Sequence, residues 1–536
     1  MNRILPLLAT LLLASMPAGA QPTGDATPCG TGRVVIDRDR DGVADRGERG
    51  LAGVRVSDGV EIVTTDRDGG FALAPVPGRT WFVIKPAGHA FPRGADGLPR
   101  YWRHVPQAAA MTLRFGGIRN GDAGCPTFLL QPQPRRPDTL DVLVLADPQT
   151  KTRAQVDYYA RDIVDPIVAD GTQAQLGLVL GDVADDDLSL YPELKAVTTR
   201  IGIPWLHAPG NHDLDFDAAS DAGSLDTFRH HFGPDTLAWE EPQATFVVLD
   251  DVVYRPGQRP LYVGGLREDQ FTFLERYLPT ADSRRLLVIA LHIPLFDEPG
   301  RETFRATDRA RLFGLLARFP RVLVLSGHGH VQRHVFHDAN VGWTGASPLH
   351  EYNVGAASGA FWSGVADAAG IPDATMADGT PNGHARLRIE RDGSYRLTWH
   401  PARLAPSADA VPAMALHVPR ALRRGAYPAW AVYANVYMGT TTTRVEYRID
   451  GGDWRPMTRV ERADPRLLAE NVRDDEAPRL RGFDRSPEAQ PSTHLWRGAL
   501  ATDLAAGPHR VEVRAFDAWR GEQRASIGYE LQEPGP

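Results

Sequence analysis

The chain of 536 residues carries 59 Lys and Arg against 67 Asp and Glu, which gives a formal net charge of −8 at pH 7. Its 42% hydrophobic and 24% charged residues are ordinary for a globular protein. This length predicts about three or four domains. The negative balance argues against nucleic acid as a partner and against a polybasic contact with a membrane surface.

The N-terminus has the pattern of a secretory signal peptide, predicted over residues 1–20. A positive start with Arg3 precedes an apolar run at residues 4–13, and the small residues Ala18 and Ala20 precede Gln21. We therefore expect cleavage after Ala20 and export to the periplasm or the extracellular space. A membrane anchor is the alternative, but the apolar run is shorter than the roughly 18 residues that a span requires. No membrane anchor is expected.

An N-terminal β-sandwich domain is predicted over residues 21–130. Several short strands separated by turn signals indicate this fold. They cover residues 32–36, 54–56, 71–73 and 81–84. The only two cysteines, Cys29 and Cys125, bracket the domain. Because export favours oxidation, a disulfide between them is expected rather than two free thiols.

One loop of this domain has the spacing of an EF-hand-like calcium site between strands. Oxygen-bearing side chains occupy positions 1, 3, 5, 9 and 12 of the loop, and a glycine occupies position 6. These residues are Asp37, Asp39, Asp41, Gly42, Asp45 and Glu48, with Val43 at position 7, where the ligand is a backbone carbonyl. The pattern predicts bound Ca²⁺, and a solvated acidic turn is the alternative.

A proline-rich segment, residues 131–137, predicts a stiff linker to a catalytic domain at residues 138–404. In that domain short apolar runs, typical of buried strands, alternate with helical patterns. The apolar runs are residues 142–146, 176–180, 286–291 and 322–325, and the helical patterns are residues 153–168, 190–201, 225–232, 268–278 and 306–319. This alternation predicts a layered α/β domain.

Polar side chains follow the apolar runs of the catalytic domain. They are Asp147, Gln149, Asp182, Asp185, Asn211, His212, Asp213, His292, His328 and His330. Loops at strand ends can bring such groups into one cleft. Carboxylate, amide and imidazole donors suit Mn, Fe, Zn or Mg, and the lack of thiolates argues against a structural zinc site. Asp185 is open to two interpretations, a turn cap or a group supporting the ligands.

The order and spacing of these segments resemble the calcineurin-like metallophosphoesterase family, in its exported type with N-terminal and C-terminal β-sandwich domains. The resemblance implies a two-layered β-sandwich flanked by helices, and two divalent ions bridged by Asp182 and a hydroxide. The first metal would be held by Asp147, Asp182 and His330, and the second by Asp182, Asn211, His292 and His328. Gln149 stands where the family usually has histidine, so the first metal would gain a neutral ligand or a water.

The resemblance also implies that His212 is the general acid, since the corresponding histidine of the family points at the leaving-group oxygen. Its neighbour Asp213 is expected to orient the imidazole and raise its pKa. The predicted activity is hydrolysis of a phosphorylated small molecule or envelope component. The alternatives are a phosphodiesterase or pyrophosphate hydrolase acting on nucleotides or envelope glycan phosphates, and a binding protein whose metal site is degraded at Gln149.

Two regions follow the last motif. Residues 342–384 are rich in Gly and Asp, and their Phe361 and Trp362 either line a substrate pocket or pack a surface loop. Residues 405–536 resemble the C-terminal β-sandwich that follows this type of phosphoesterase. Its predicted strands are residues 431–438, 443–449, 509–516 and 526–531, and its expected core tryptophans are Trp454, Trp496 and Trp519.

Overall fold

The computed structural model describes residues 29–106, 112–118, 124–133, 138–297, 303–403, 411–427 and 430–533. The signal peptide predicted at residues 1–20 and residues 134–137 of the predicted linker lie outside these ranges. Among the described residues, no helix is long and apolar enough to cross a membrane.

The N-terminal region consists of two four-stranded sheets. The strands are β1 (Thr31–Ile36), β2 (Arg55–Ser57), β3 (Ile62–Thr64), β4 (Gly70–Ala72), β5 (Thr80–Val83), β6 (His89–Ala90), β7 (Trp102–His104) and β8 (Thr127–Pro132). One sheet has the order β4-β1-β8-β6 and the other β3-β2-β5-β7. The ring of Phe71 packs against those of Trp81 and Phe128 in the core. The predicted β-rich fold of this region is confirmed.

The disulfide between Cys29 and Cys125 is formed. Each cysteine shortly precedes one of two strands, β1 and β8, that pair in parallel, so the register of the sheet brings them together. Because β8 continues through Pro132, the first two residues of the predicted linker belong to a strand.

Two larger sheets form the central α/β region. Its strands are β9 (Leu140–Leu145), β10 (Leu176–Leu180), β11 (Trp205–Ala208), β12 (Leu237–Glu240), β13 (Ala244–Val248), β14 (Val252–Tyr254), β15 (Tyr262–Gly264), β16 (Leu286–Ala290), β17 (Val322–Ser326), β18 (Arg333–His337), β19 (Leu349–Asn353), β20 (Gly383–Ile389) and β21 (Tyr395–Pro401). The sheet orders are β11-β10-β9-β20-β21 and β12-β13-β16-β17-β19-β18, with β14 and β15 as a separate hairpin. The predicted calcineurin-like α/β architecture is confirmed.

Helices lie between these strands at the predicted positions. They are α1 (Arg153–Tyr159), α2 (Asp165–Ala169), α3 (Tyr191–Thr198), α4 (Asp226–Phe232), α5 (Glu268–Tyr277) and α6 (Ala306–Leu316), and a π-helical turn, Ala160–Val164, joins the first two. Strands β9, β10 and β11 run parallel, as do β13, β16, β17 and β19. Their carboxyl ends therefore lie at one edge of each sheet, where loops can share a site.

The stretch expected to be a long insertion, residues 342–384, contains β19, an interior strand of the second large sheet. β19 pairs in parallel with β17 and antiparallel with β18, and all five of its residues are buried. Its sequence includes His350, Glu351 and Asn353, so it lacks the apolar signature of a buried strand. Tertiary hydrogen bonds hold the Glu351 carboxylate, which accepts from the hydroxyl of Ser326 and from the backbone N–H of Leu295.

The C-terminal region is a second β-sandwich with one helix. Its elements are β22 (Met414–His417), β23 (Ala421–Arg423), β24 (Ala431–Val436), β25 (Val445–Ile449), β26 (Arg455–Pro456), β27 (Thr458–Ala463), α7 (Pro465–Glu476), β28 (Pro491–Ala499), β29 (Gly507–Asp517) and β30 (Gly521–Gln532). The sheets have the orders β22-β24-β28-β27 and β23-β30-β29-β25-β26. Trp496 is buried in the core as expected. Trp454 is not a core residue, because its half-exposed ring packs against the guanidinium groups of Arg448 and Arg514.

Candidate metal centre

Five loops at the carboxyl ends of β9, β10, β11, β16 and β17 meet at one buried site. His292 lies at its middle, with its Nε2 3.1 Å from Asn211 Oδ1, 3.2 Å from His328 Nδ1 and 3.3 Å from Asp182 Oδ2. Asp182, His292 and His328 each offer one ligand atom within 4.8 Å of the others. The structure thus brings together the four side chains expected around the second metal.

The residues expected around the first metal lie beside this cluster. His330 Nε2 is 3.6 Å from Asp147 Oδ1, while the Nδ1 of His330 donates to the carbonyl of Gly359 at 2.6 Å. Gln149 is buried, and its Oε1 accepts no hydrogen bond from the described residues. Since buried polar atoms normally have a partner, a buried amide oxygen without one fits a cation or its water.

Burial and mutual interaction shift the pKa values of this cluster. Burial raises the pKa of the Asp147 carboxyl to about 8, and the charge of Asp182 adds to that shift. Burial also opposes ionisation of Asp182, but His292 and His212 outweigh it and lower the pKa of Asp182. For His292, burial disfavours the imidazolium, yet Asp182 and Asp147 raise the pKa to about 10. The carboxylates of the site therefore favour a positively charged group beside them, such as an imidazolium or a cation.

The backbone of the site is strained and closely packed. Of the twelve non-glycine residues with positive φ in the described part of the chain, eight belong to this site: Asp147, Gln149, Asp182, Asp186, His328, His330, Phe361 and Trp362. A Cβ at Gly181 would lie 2.5 Å from His292 Nδ1, and one at Gly210 would lie 2.2 Å from Asp182 Oδ1. The glycines of the motifs are therefore needed for close approach of the loops, and strain of this kind clusters at functional sites.

His212 is oriented by a different carboxylate from the one expected. Its Nδ1 lies 2.7 Å from Asp186 Oδ1 and 3.6 Å from Asp185 Oδ1. Burial disfavours the imidazolium, but the hydrogen bond to Asp186 and the charges of Asp182, Asp186 and Asp185 raise its pKa to about 9. Asp185 thus belongs to the surroundings of His212, and Asp186 is a residue that the sequence interpretation missed.

The expectation that Asp213 orients His212 is wrong. The Asp213 carboxylate is buried, and it accepts from the backbone N–H of Gly210 at 2.8 Å and of Val183 at 3.1 Å. It also accepts from the hydroxyl of Tyr191 at 2.8 Å. Asp213 therefore ties the loop after β11 to the loop after β10, and its effect on the site is to hold these two loops in place.

The two aromatic residues assigned to a pocket take different positions. Phe361 is 46% exposed, and its ring stacks on that of His330 with centroids 4.4 Å apart. Trp362 is fully buried, and its Nε1 donates to the carbonyl of Pro148 at 2.9 Å. Phe361 therefore borders the site, whereas Trp362 is buried and holds the loop that follows Asp147 through its hydrogen bond to Pro148.

Supporting residues outside the motifs hold the ligand loops. Asp251 is buried and accepts from the backbone N–H of His292 at 3.0 Å and of Ile293 at 2.9 Å. Asn353 on β19 donates to the carbonyl of Gly327, which precedes His328. A signal for Asp251 existed, since a pair of aspartates follows the apolar run at residues 244–249. Asn353 gave no such signal, because its strand was not recognised.

The acidic loop after β1 is compact. Asp37 is buried and accepts from the backbone N–H of Arg40 at 2.7 Å and from the side chain of Gln131 at 2.8 Å. The oxygens of two groups lie within 4.8 Å of one another: Asp37, Asp39 and Glu48, and Asp39, Asp41 and Asp45. Asp41 is the main cause of a raised pKa at Asp45. Calcium binding here stays a prediction.

The fold and the buried cluster of carboxylate, amide and imidazole groups define a hydrolase of the metallophosphoesterase class. Sequence models of three parts of one family match the chain: the N terminal of calcineurin-like phosphoesterase at residues 38–118, calcineurin-like phosphoesterase at 140–332, and the C terminal of calcineurin-like phosphoesterase at 351–522. The chain belongs to the calcineurin-like phosphoesterase family and is a hydrolase of phosphoric esters. The family implies a dinuclear metal cofactor.

Two solved structures are weakly similar to this chain. One is purple acid phosphatase PPD1 from yellow lupin (Lupinus luteus) seeds, at 11% identity and a TM-score of 0.31, over 90% of this chain and 70% of that chain. The other is a metallophosphoesterase from Sphaerobacter thermophilus, at 14% identity and a TM-score of 0.24, over 49% of this chain and 90% of that chain. No curated protein matches this chain.

Proposed function

We propose that this protein is an exported phosphoesterase that works with two divalent cations. The first would be held by Asp147, Gln149, Asp182 and His330, and the second by Asp182, Asn211, His292 and His328. The observation that carries the proposal is the convergence of Asp182, His292 and His328 within 4.8 Å at the ends of separate strands. The buried Oε1 of Gln149, which accepts no hydrogen bond from the described residues, supports a ligand at the first position as well.

Cations in these positions would polarise phosphoryl oxygens and lower the pKa of bound water. The donor set of carboxylate, amide and imidazole groups suits Mn, Fe, Zn or Mg. His212 is the general acid of the proposal, because its hydrogen bond to Asp186 and the carboxylates around it raise the pKa of the imidazole. A protonated imidazole can supply the proton that an alkoxide leaving group requires.

Export is part of the proposal. A disulfide indicates folding in an oxidising compartment, and residues 1–20 have the pattern of a cleaved signal peptide.

We further propose that the Asp37–Glu48 loop, residues 37–48, binds Ca²⁺, because its carboxylates gather in two overlapping groups. Repulsion among them, seen in the raised pKa of Asp45, would be relieved by a cation.

The deciding experiment measures the products released by purified protein reconstituted with Mn²⁺, Fe²⁺, Zn²⁺ or Mg²⁺, namely 4-nitrophenolate from the nitrophenyl esters and phosphate from pyrophosphate. The substrates are 4-nitrophenyl phosphate, bis(4-nitrophenyl) phosphate and pyrophosphate, so that monoesterase, diesterase and pyrophosphate hydrolase activities are compared directly. We expect activity that chelation removes and metal restores. If the protein is inert with each metal while Gln149→His becomes active, the alternative of a binding protein with a degraded metal site is correct.

A further inference from the structure

A cavity of about 860 Å³ lies beside the candidate metal centre, between the Phe361 loop and the C-terminal region. Its far wall is formed by α7 and the segment at residues 483–489. Hydrogen bonds join the two parts of this wall. Asn471 of α7 donates to the carbonyl of Pro487 and accepts from the N–H of Ala489. The N–H of Gly364 donates to the carbonyl of Asp484 across the two regions. A cavity of this size suits a small-molecule ligand.

The lining of the cavity is mixed, but it gathers several exposed hydrophobic side chains among its polar residues. The described chain has fourteen exposed large hydrophobic residues, and four of them, Phe361, Leu468, Val472 and Phe483, line this one cavity. Leu468 and Val472 lie four residues apart on one face of α7. Isolated exposed apolar residues are normal, but a cluster in a concave surface is typical of a ligand site.

Two residues of the cavity lining contact groups of the candidate metal centre and its surroundings. Phe361 stacks on His330, and the Nζ of Lys151, another lining residue, lies 5.4 Å from the centre of the Phe361 ring. The same Nζ is 3.4 Å from Asp185, which lies 3.6 Å from His212. The cavity is therefore on the side of the proposed general acid, where the alcohol part of a phosphoester departs.

The charges of the lining disfavour a second phosphate. Its two cations are already paired, Arg485 with Asp475 and Lys151 with Asp185. Asp484 and Glu488 add further negative charge to the rim. A nucleoside di- or triphosphate would place anions against this rim, whereas an apolar alcohol would contact the four hydrophobic side chains without repulsion.

We propose that this cavity binds the alcohol part of the substrate, and that the substrate is a phosphate ester of a large apolar alcohol. This inference rests on the proposed function and names its substrate class. Burial of each methylene is worth about a factor of four in an equilibrium. We therefore expect kcat/KM to rise at least ~30-fold from ethyl to octyl phosphate, even when only part of the chain is buried.

The alkyl series is the proper test, since ethyl, butyl and octyl phosphate have leaving groups of the same acidity and differ in apolar surface. Phe483→Ala and Val472→Ser should reduce the octyl-to-ethyl ratio of kcat/KM by about 10-fold and about 3-fold. The matched control is Val341→Ser, which removes a valine of similar exposure outside the cavity, 50% against 54% for Val472, and should leave the ratio unchanged. Equal kcat/KM for ethyl and octyl phosphate would overturn the inference, as would an unchanged ratio in Phe483→Ala.

A binding measurement separates this inference from the proposed function. Octylphosphonate has no ester bond to cleave, and calorimetric titration should show tighter binding of it than of ethylphosphonate, with the difference reduced in Phe483→Ala. If this selectivity is found while no ester is hydrolysed with any metal, the proposed activity fails and the cavity assignment stands. If both phosphonates bind equally while esters are hydrolysed, the activity stands and the cavity assignment fails.

Discussion

Replacing Asp186 by Asn tests how His212 is kept protonated. The Asp186 carboxylate lies 2.7 Å from His212 Nδ1, and the hydrogen bond between them helps to raise the imidazole pKa to about 9. An amide in its place keeps the shape but loses the charge. Asp185, at 3.6 Å, and Asp182 remain and compensate in part. We therefore expect the imidazole pKa to fall by about one to two pH units.

The direction of the effect on catalysis follows from the role of the acid. A general acid is active in its protonated form, so kcat falls as the pH rises through its pKa. In Asp186→Asn this alkaline limb should move to lower pH than in the natural protein, because the charge that raises the pKa of His212 is lost. The measurement is kcat between pH 5 and about pH 10 for Mn²⁺-loaded protein on phenyl phosphate, whose leaving group requires a proton.

Asp187→Asn is the matched control, because it removes the same charge at the next position, where the carboxylate accepts from Ser189 instead of His212. It should leave the alkaline limb in place.

His212→Ala should lower kcat by about 10²–10⁴ on phenyl phosphate and by less on 4-nitrophenyl phosphate, whose leaving group is more acidic. An alkaline limb that does not move in Asp186→Asn, or equal losses on both substrates in His212→Ala, would refute the reasoning.

Three further outcomes are expected. Asp182→Asn should lose most bound metal and activity together, and elemental analysis that finds full metal content in this variant would disprove its bridging position. Gln149→His should bind Zn²⁺ or Fe²⁺ more tightly at the first site, which competition with a chromophoric chelator measures, and an unchanged affinity would count against Gln149 as a ligand. Calcium and the Cys29–Cys125 disulfide should each raise the melting temperature of the N-terminal region, and a calorimetric scan that responds neither to chelator nor to reductant would exclude both effects.

The sequence was sufficient where the signal is local. Asp147, Asp182 and His292 each follow a short apolar run, and that run forms a buried strand whose carboxyl end faces the site. Helical periodicity likewise located α5 at Glu268–Tyr277. Such patterns depend on neighbours within one element, so they can be read without knowledge of the fold.

Tertiary structure decided what depends on residues far apart in the chain. β19 is an interior strand in which Glu351 accepts a hydrogen bond from Ser326 of β17 and Asn353 donates to the loop after β17, and no local pattern records these contacts. The partner of His212 is Asp186 rather than its sequence neighbour Asp213, since the loops after β10 and β11 meet only in the folded protein.

The cavity beside the metal centre joins Phe361 to Phe483, more than one hundred residues further along the chain. Composition and motif spacing therefore determined the class of chemistry and the groups that carry it. The hydrogen-bond partner of His212 and the shape of the cavity were set by packing between separate regions, because each arises from contacts that form only when those regions fold against one another.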